Sequence, residues 1–108
     1  MGSASDTLER SIHDILHPNV HFAYADFCAA AGIAPESTPL SGRWLNAKCD
    51  VQAMWSHINA ANDVFVTEDK RFLTPDRRAA LIALGAGSIL TPNEAVVHLL
   101  ISRMQPLM

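Results

Sequence analysis

The chain has 108 residues, 49% of them apolar and 18% charged, and a formal net charge of −3. That length suits one domain with a core that needs no disulfide or metal staple, and that composition excludes a disordered chain. The acidic balance excludes a polybasic nucleic-acid binder, but not an enzyme that meets a nucleic acid through metal ions, because the ion then supplies the positive charge.

Cys28 and Cys49 lack CxxC spacing, so neither a zinc knuckle nor a disulfide framework is indicated, and both read as buried thiols in a reducing setting. No apolar run nears the roughly 20 residues that span a bilayer, and no signal-peptide pattern opens the sequence. A cytoplasmic protein without membrane association is expected.

In chain order, "SDTLERSIHDILHP" reads as an amphipathic helix. Ser5 or Asp6 caps it, Leu8, Ile12, Ile15 and Leu16 form its apolar stripe, and Pro18 stops it. His13, His17 and His21 recur every four residues, which on one helix face would suggest metal ligation. Pro18 breaks that face between His17 and His21. "NVHFAYADFCAAAGI" is ambiguous: Val20, Phe22 and Tyr24 alternate like a strand, while Phe22, Ala25, Ala29 and Ala30 suit a helix ended by Gly32, and helix is favoured.

Residues 34–42 cluster Pro, Ser and Thr and read as a loop. Residues 46–61 are helical, with Val51, Met54, Trp55 and Ile58 at i, i+3, i+4 and i+7. Trp44 and Trp55 read as core or interface anchors. "DVFVT" is a short apolar run of the kind buried on both faces of a parallel sheet, with Asp63 as the turn residue leading in. "TPDRRAALIALGAG" opens a helix with Thr74 as N-cap and Pro75 at its first position, and Gly85 or Gly87 ends it. "SIL" resumes a strand. "TPNEAVVHLLISRM" repeats the Thr-Pro start and places Glu94 three residues after Thr91, a capping box.

The expected fold is α/β, a parallel-sheet unit with covering helices over residues 46–108, preceded by a helical segment and loop over residues 1–45. Two strands are too few for a stable open sheet. Residues 20–24 supply a third, a second copy completes the sheet, or the chain belongs to something longer.

Ligands of open α/β sheets bind at the carboxyl ends of the strands, where Thr67, Glu68 and Asp69 stand. A helix beginning near Asp50 and packed antiparallel on the strand would bring Asp50 to the same end. Two carboxylates on one cleft suit Mg²⁺ or Mn²⁺, which can activate a water and neutralise a phosphodiester. Structural roles stand beside this one: Asp50 as an N-cap or first-turn residue, and Asp69 as a solvated turn residue or an N-cap toward Phe72. Glu68 points to solvent. Lys70 and Arg71, or Arg77 and Arg78, are candidate phosphate contacts or plain surface charge. His57 is a polar-face residue or a helper near the site.

The run "CDVQAMWSHINAANDVFVTEDKRF", followed by a helix, a glycine turn and "ILTPNEAV", resembles the C-terminal half of a PIN domain over about residues 46–97. In that family an Asp opens a helix, an apolar strand follows, and Thr-x-Asp closes it with a Phe soon after. Asp50, Thr67, Asp69 and Phe72 match. The resemblance implies a Mg²⁺- or Mn²⁺-dependent endoribonuclease of toxin–antitoxin type. Asp50 and Asp69 would be its metal ligands, Thr67 would position a water or ligand, and RNA would be the substrate. The family's first strand with its Asp has no counterpart here, since Asp26 lies only 24 residues before Asp50. The PIN-like unit is therefore incomplete on its N-terminal side. The rival reading is a non-catalytic interaction module that self-associates, or docks to a partner, through its open sheet edge.

Overall fold

The computed structural model describes residues 4–36 and 41–104, without the side chains of Ala4 and Ser5. The expected Ser5 cap and part of the 34–42 loop lie outside the described residues. The chain divides into two compact units, Met1–Ser56 and His57–Met108. It is mostly helical with a small parallel sheet, α/β in a loose sense.

In the first unit, α1 (Ala4–Leu16) buries Ile12, His13 and Leu16. It begins ahead of Asp6, which therefore sits in the first turn, where the helix dipole favours a carboxylate. Helix α2 (Tyr24–Ala31) resolves the second part of the ambiguous stretch as helix, while Val20 and Phe22 lie ahead of it outside helix and strand. Gly32 ends it in the left-handed region (φ 71°, ψ 32°), and the Ile33 N–H donates to the Cys28 carbonyl at 2.9 Å.

Helix α3 (Gly42–Asn59) starts four residues earlier than residue 46. The reason is tertiary. Trp44 packs on Tyr24 with ring centroids 4.8 Å apart, and Ala47 is buried with Val20, Phe27 and Cys28. Burial on that face outweighs the poor helix propensity of Gly42. Val51 and Met54 are fully buried, as their periodicity requires. Cys28 is buried but Cys49 is exposed, which corrects the expectation of two buried thiols.

The second unit begins within the last turn of α3. The Ala61 N–H donates to the Ile58 carbonyl and the Asn62 N–H to that of His57, at 3.0 and 3.3 Å, closing the helix with Ala61 at φ 56°. Strand β1 (Val64–Val66) pairs in parallel with β2 (Ser88–Leu90), in register Val64↔Ser88 through Val66↔Leu90. Residues 20–24 add no strand, so the sheet of the described residues has two. Strand β1 is not buried on both faces: Val64 and Phe65 are half-buried and Val66 is 49% exposed. With a sheet this narrow, no layer closes over Val66.

Between the strands run α4 (Lys70–Leu73), α5 (Pro75–Leu81) and a wide π-type segment (Ile82–Ala86). Gly87 follows at φ 72°. A Cβ there would fall inside contact distance of the Asp63 carbonyl oxygen and 3.0 Å from its carbon. Only glycine lets β2 start so close to β1, where the Ser88 N–H donates to the Asp63 carbonyl at 2.8 Å. Helix α6 (Pro92–Met104) adjoins both strands yet buries none of its own side chains.

The two Thr-Pro starts differ. Thr91 and Glu94 form the full capping box: the Thr91 N–H donates to Glu94 Oε1 at 2.8 Å, and the Glu94 N–H to Thr91 Oγ1 at 3.1 Å. Thr74 stands at the N-cap of α5 with Pro75 behind it, but its hydroxyl turns back and donates to the Lys70 carbonyl at 3.1 Å. Thr74 is thus the N-cap of α5 as expected, its carbonyl accepting from the Arg78 N–H at 2.8 Å, but its hydroxyl closes α4 instead of capping α5.

Candidate functional site at the end of the first strand

The carboxyl end of β1 gathers Thr67, Asp69, Arg71 and Phe72 through local geometry. The Thr67 N–H extends the ladder by donating to the Leu90 carbonyl at 2.9 Å. Its hydroxyl oxygen then accepts from the Asp69 N–H at 3.0 Å, and Asp69 Oδ1 accepts from the Arg71 N–H at 2.9 Å. Two side-chain turns in succession thus redirect the strand into α4, with Asp69 as N-cap. Asp69 Oδ2 lies 3.6 Å from Arg71 Nη1. Both carboxylate oxygens therefore face groups of the same segment.

Phe72 is the product of that redirection. It is buried and packs at a tilt against Phe65 at 5.1 Å between centroids, and Phe65 in turn meets His57 edge-on at 5.1 Å. His57 is buried, and its Nε2 donates to the Ala86 carbonyl at 2.6 Å. Its partner lies 29 residues on, and no pattern in the sequence announces the pair. Glu68 is exposed as expected, and Lys70 is exposed at the start of α4.

Asp50 belongs to the first unit and does not open a helix. Helix α3 starts at Gly42, so Asp50 sits roughly 12 Å along its axis, beyond reach of the N-terminal dipole. That corrects both its capping role and the basis for bringing it to the strand end. Its Oδ2 meets His17 Nε2 at 3.0 Å in a half-buried pair. The histidine series separates accordingly. His13 is buried with Nε2 on the Val20 carbonyl at 2.5 Å, His17 faces Asp50, and His21 is exposed.

Among the described residues, no group of three or more His, Cys, Asp or Glu side chains is arranged to hold a metal ion. Arg78 Nη2 lies 3.8 Å from Glu94, which places it beside the start of α6. The Glu94 carboxyl is held below its ordinary range, chiefly by the Thr91 N–H, against a smaller opposing effect of desolvation. No helix among the described residues is long and apolar enough to cross a membrane. Comparison of the chain with models of protein families, with curated proteins and with solved structures finds no match.

Proposed function

We propose that the chain is a non-catalytic α/β interaction module that self-associates through α6 and the open sheet. One observation supports this above the others. Val96, Val97, Leu99, Leu100, Ile101 and Met104 of α6 are each 53–80% exposed. A helix apolar around most of its circumference has the composition of one buried on several sides. A patch of this kind on a monomer's surface marks an association site.

A second copy is the occupant that the charge pattern favours. Between Glu94 and Arg103 the helix carries no Asp, Glu, Lys or Arg, so two identical faces meet without like-charge contact. Among the described residues each of the two strands also has a single neighbour, and a two-stranded sheet gains stability by extension. Sedimentation equilibrium across a range of concentrations tests the proposal. The expected result is a dimer or higher species whose dissociation constant rises at least tenfold with Leu100→Glu. A chain that stays monomeric at every concentration refutes it.

The PIN-like nuclease is the second reading, supported by the Thr67, Asp69 and Phe72 pattern at a strand's carboxyl end. It requires Mg²⁺ or Mn²⁺ at Asp69 and RNA against Lys70 and Arg71. Saturable Mn²⁺ binding and metal-dependent cleavage of RNA, both lost in Asp69→Asn, are its expected signs.

A further inference from the structure

The second unit holds a pocket of about 400 Å³, within the range of small-molecule sites. The end of α4, helix α5 and the first residue of the π-type segment build it, through Leu73, Pro75, Arg78, Ala79 and Ile82. Four of these side chains are apolar, and Arg78 is the one charged group among them. Ile82 is 44% exposed, so the pocket opens to solution.

Arg78 is poorly paired for a half-buried guanidinium. Its backbone is fixed in α5, where its N–H donates to the Thr74 carbonyl at 2.8 Å. Nε is buried without a partner, and the terminal nitrogens make no hydrogen bond among the described residues. The neighbouring carboxylate is Glu94, whose Oε1 stands 3.8 Å from Nη2, beyond hydrogen-bond length. That oxygen already accepts from the Thr91 N–H at 2.8 Å. The Glu94 side chain is 46% exposed and does not line the pocket, so solvent weakens the pair. The terminal nitrogens thus keep donors to spare, and a carboxylate is the anion whose two oxygens match a guanidinium fork.

The walls select the rest of the ligand. A dianion such as inorganic phosphate would bring a second charge onto apolar side chains with no second cation to meet it. A neutral hydrocarbon would cover the guanidinium and leave its donors unsatisfied. One negative charge on a short apolar body meets both demands, since its methylenes cover Leu73, Pro75, Ala79 and Ile82.

We infer that this pocket binds a small aliphatic monocarboxylate, with the Arg78 terminal nitrogens donating to the carboxylate and the apolar walls holding the chain. This goes beyond self-association through α6 and does not depend on it. A free carboxylic acid and the C-terminal carboxylate of a peptide ending in an apolar residue share this chemistry.

The Arg78 Nε–H resonance of the full chain tests it, recorded at about pH 6.5, where a carboxylate is ionised. Hexanoate is titrated in the low-millimolar range, with hexanol and acetate as controls for chain and charge alone. A short acetylated peptide ending in leucine is the second arm. The expected result is a saturable shift of Arg78 with hexanoate, at least tenfold tighter than with hexanol or acetate, while the Leu100 methyls of α6 stay unmoved. Arg78→Gln, followed through the Ala79 methyl, should weaken binding at least tenfold. A thermal melt establishes that this variant is folded, and Ile82→Ser, read at Arg78, serves if it is not. Tighter binding of the peptide assigns the site to a protein C-terminus, and any weaker or equal binding to a free acid. The inference is overturned by no saturable shift, by hexanol binding as well as hexanoate, by Leu100 shifting in step with Arg78, or by undiminished affinity in the folded variant.

Discussion

Replacing Asp69 separates the two roles its position suggests. As the N-cap of α4 it accepts one backbone hydrogen bond, from Arg71 at 2.9 Å. Losing an N-cap acceptor to alanine costs typically about 1 kcal/mol. Its ion pair with Arg71, at 3.6 Å and with the arginine side chain 55% exposed, adds a few tenths at most after solvent screening. The Asp69 N–H bond to Thr67 is a backbone donation and survives the change. Asp69→Ala should therefore lower stability by about 1–1.5 kcal/mol. Asn caps as well as Asp, so Asp69→Asn should fall within a few tenths of the parent. Urea denaturation followed by circular dichroism, with and without Mn²⁺, measures all three proteins. A metal held by Asp69 would stabilise the parent by about 1.4 kcal/mol at ten times its dissociation constant. If Mn²⁺ stabilises the parent alone and both variants lose that increment equally, the capping account of Asp69 is refuted as its main role.

Three further perturbations probe the backbone and the caps. Gly87→Ala should cost about 3 kcal/mol or more, since its Cβ meets the Asp63 carbonyl at a positive φ and the strands must part. Gly42→Ala, where nothing lies within 4 Å of the added carbon, should be neutral or slightly stabilising in the same denaturation assay. Glu94 has its carboxyl lowered in the folded chain. Its contribution is thus fully present above the ordinary glutamate value of 4.5 and is lost as pH falls through the lowered folded value. Comparing the parent with Glu94→Gln from pH 7 downward should show an advantage of the parent that shrinks only below that range. An advantage that grew with acid would contradict the capping box as the cause.

Most of the features legible in the sequence are those whose partners lie within one turn. Thr91 and Glu94 are three residues apart, and their reciprocal bonds formed as the spacing required. Gly32 ended α2 because only the local backbone decides that cap. The parallel pairing of β1 with β2 followed from the helices between them. What escaped depends on distant contacts. The start of α3 was hidden because Pro, Ser, Thr and Gly before Trp44 look like loop, and the packing of Trp44 against Tyr24 overrides them. Asp50 finds His17 across 33 residues, and His57 finds Ala86 across 29. Thr74 shows a subtler failure. Its hydroxyl had two helices to choose from, and the carbonyls ending α4 took it.

The strand end shows why a short pattern can suggest chemistry that it need not perform. A chain leaving a parallel strand exposes backbone N–H groups just where it bends, and an oxygen-bearing side chain two residues back satisfies each one. Thr67 does this for Asp69, and Asp69 does it for Arg71. An apolar residue must then follow to anchor the new helix, and Phe72 does so against Phe65. Thr-x-Asp followed by Phe is thus a sufficient recipe for the turn alone. Metal ligation draws on the same residue types because it needs anionic oxygens at the same strand end. The two uses part over lone pairs. A capping carboxylate spends one oxygen on the backbone, and in Asp69 the second oxygen, which a metal would use, lies beside the Arg71 guanidinium. A cation approaching that oxygen must displace or repel the arginine, so Arg71→Ala should strengthen any Mn²⁺ binding at Asp69 if the site takes metal at all. Calorimetry of Mn²⁺ with Arg71→Ala and with the Asp69→Asn, Arg71→Ala double variant decides it. Heat that appears in the single variant and vanishes in the double would mean that the arginine holds a latent metal site shut.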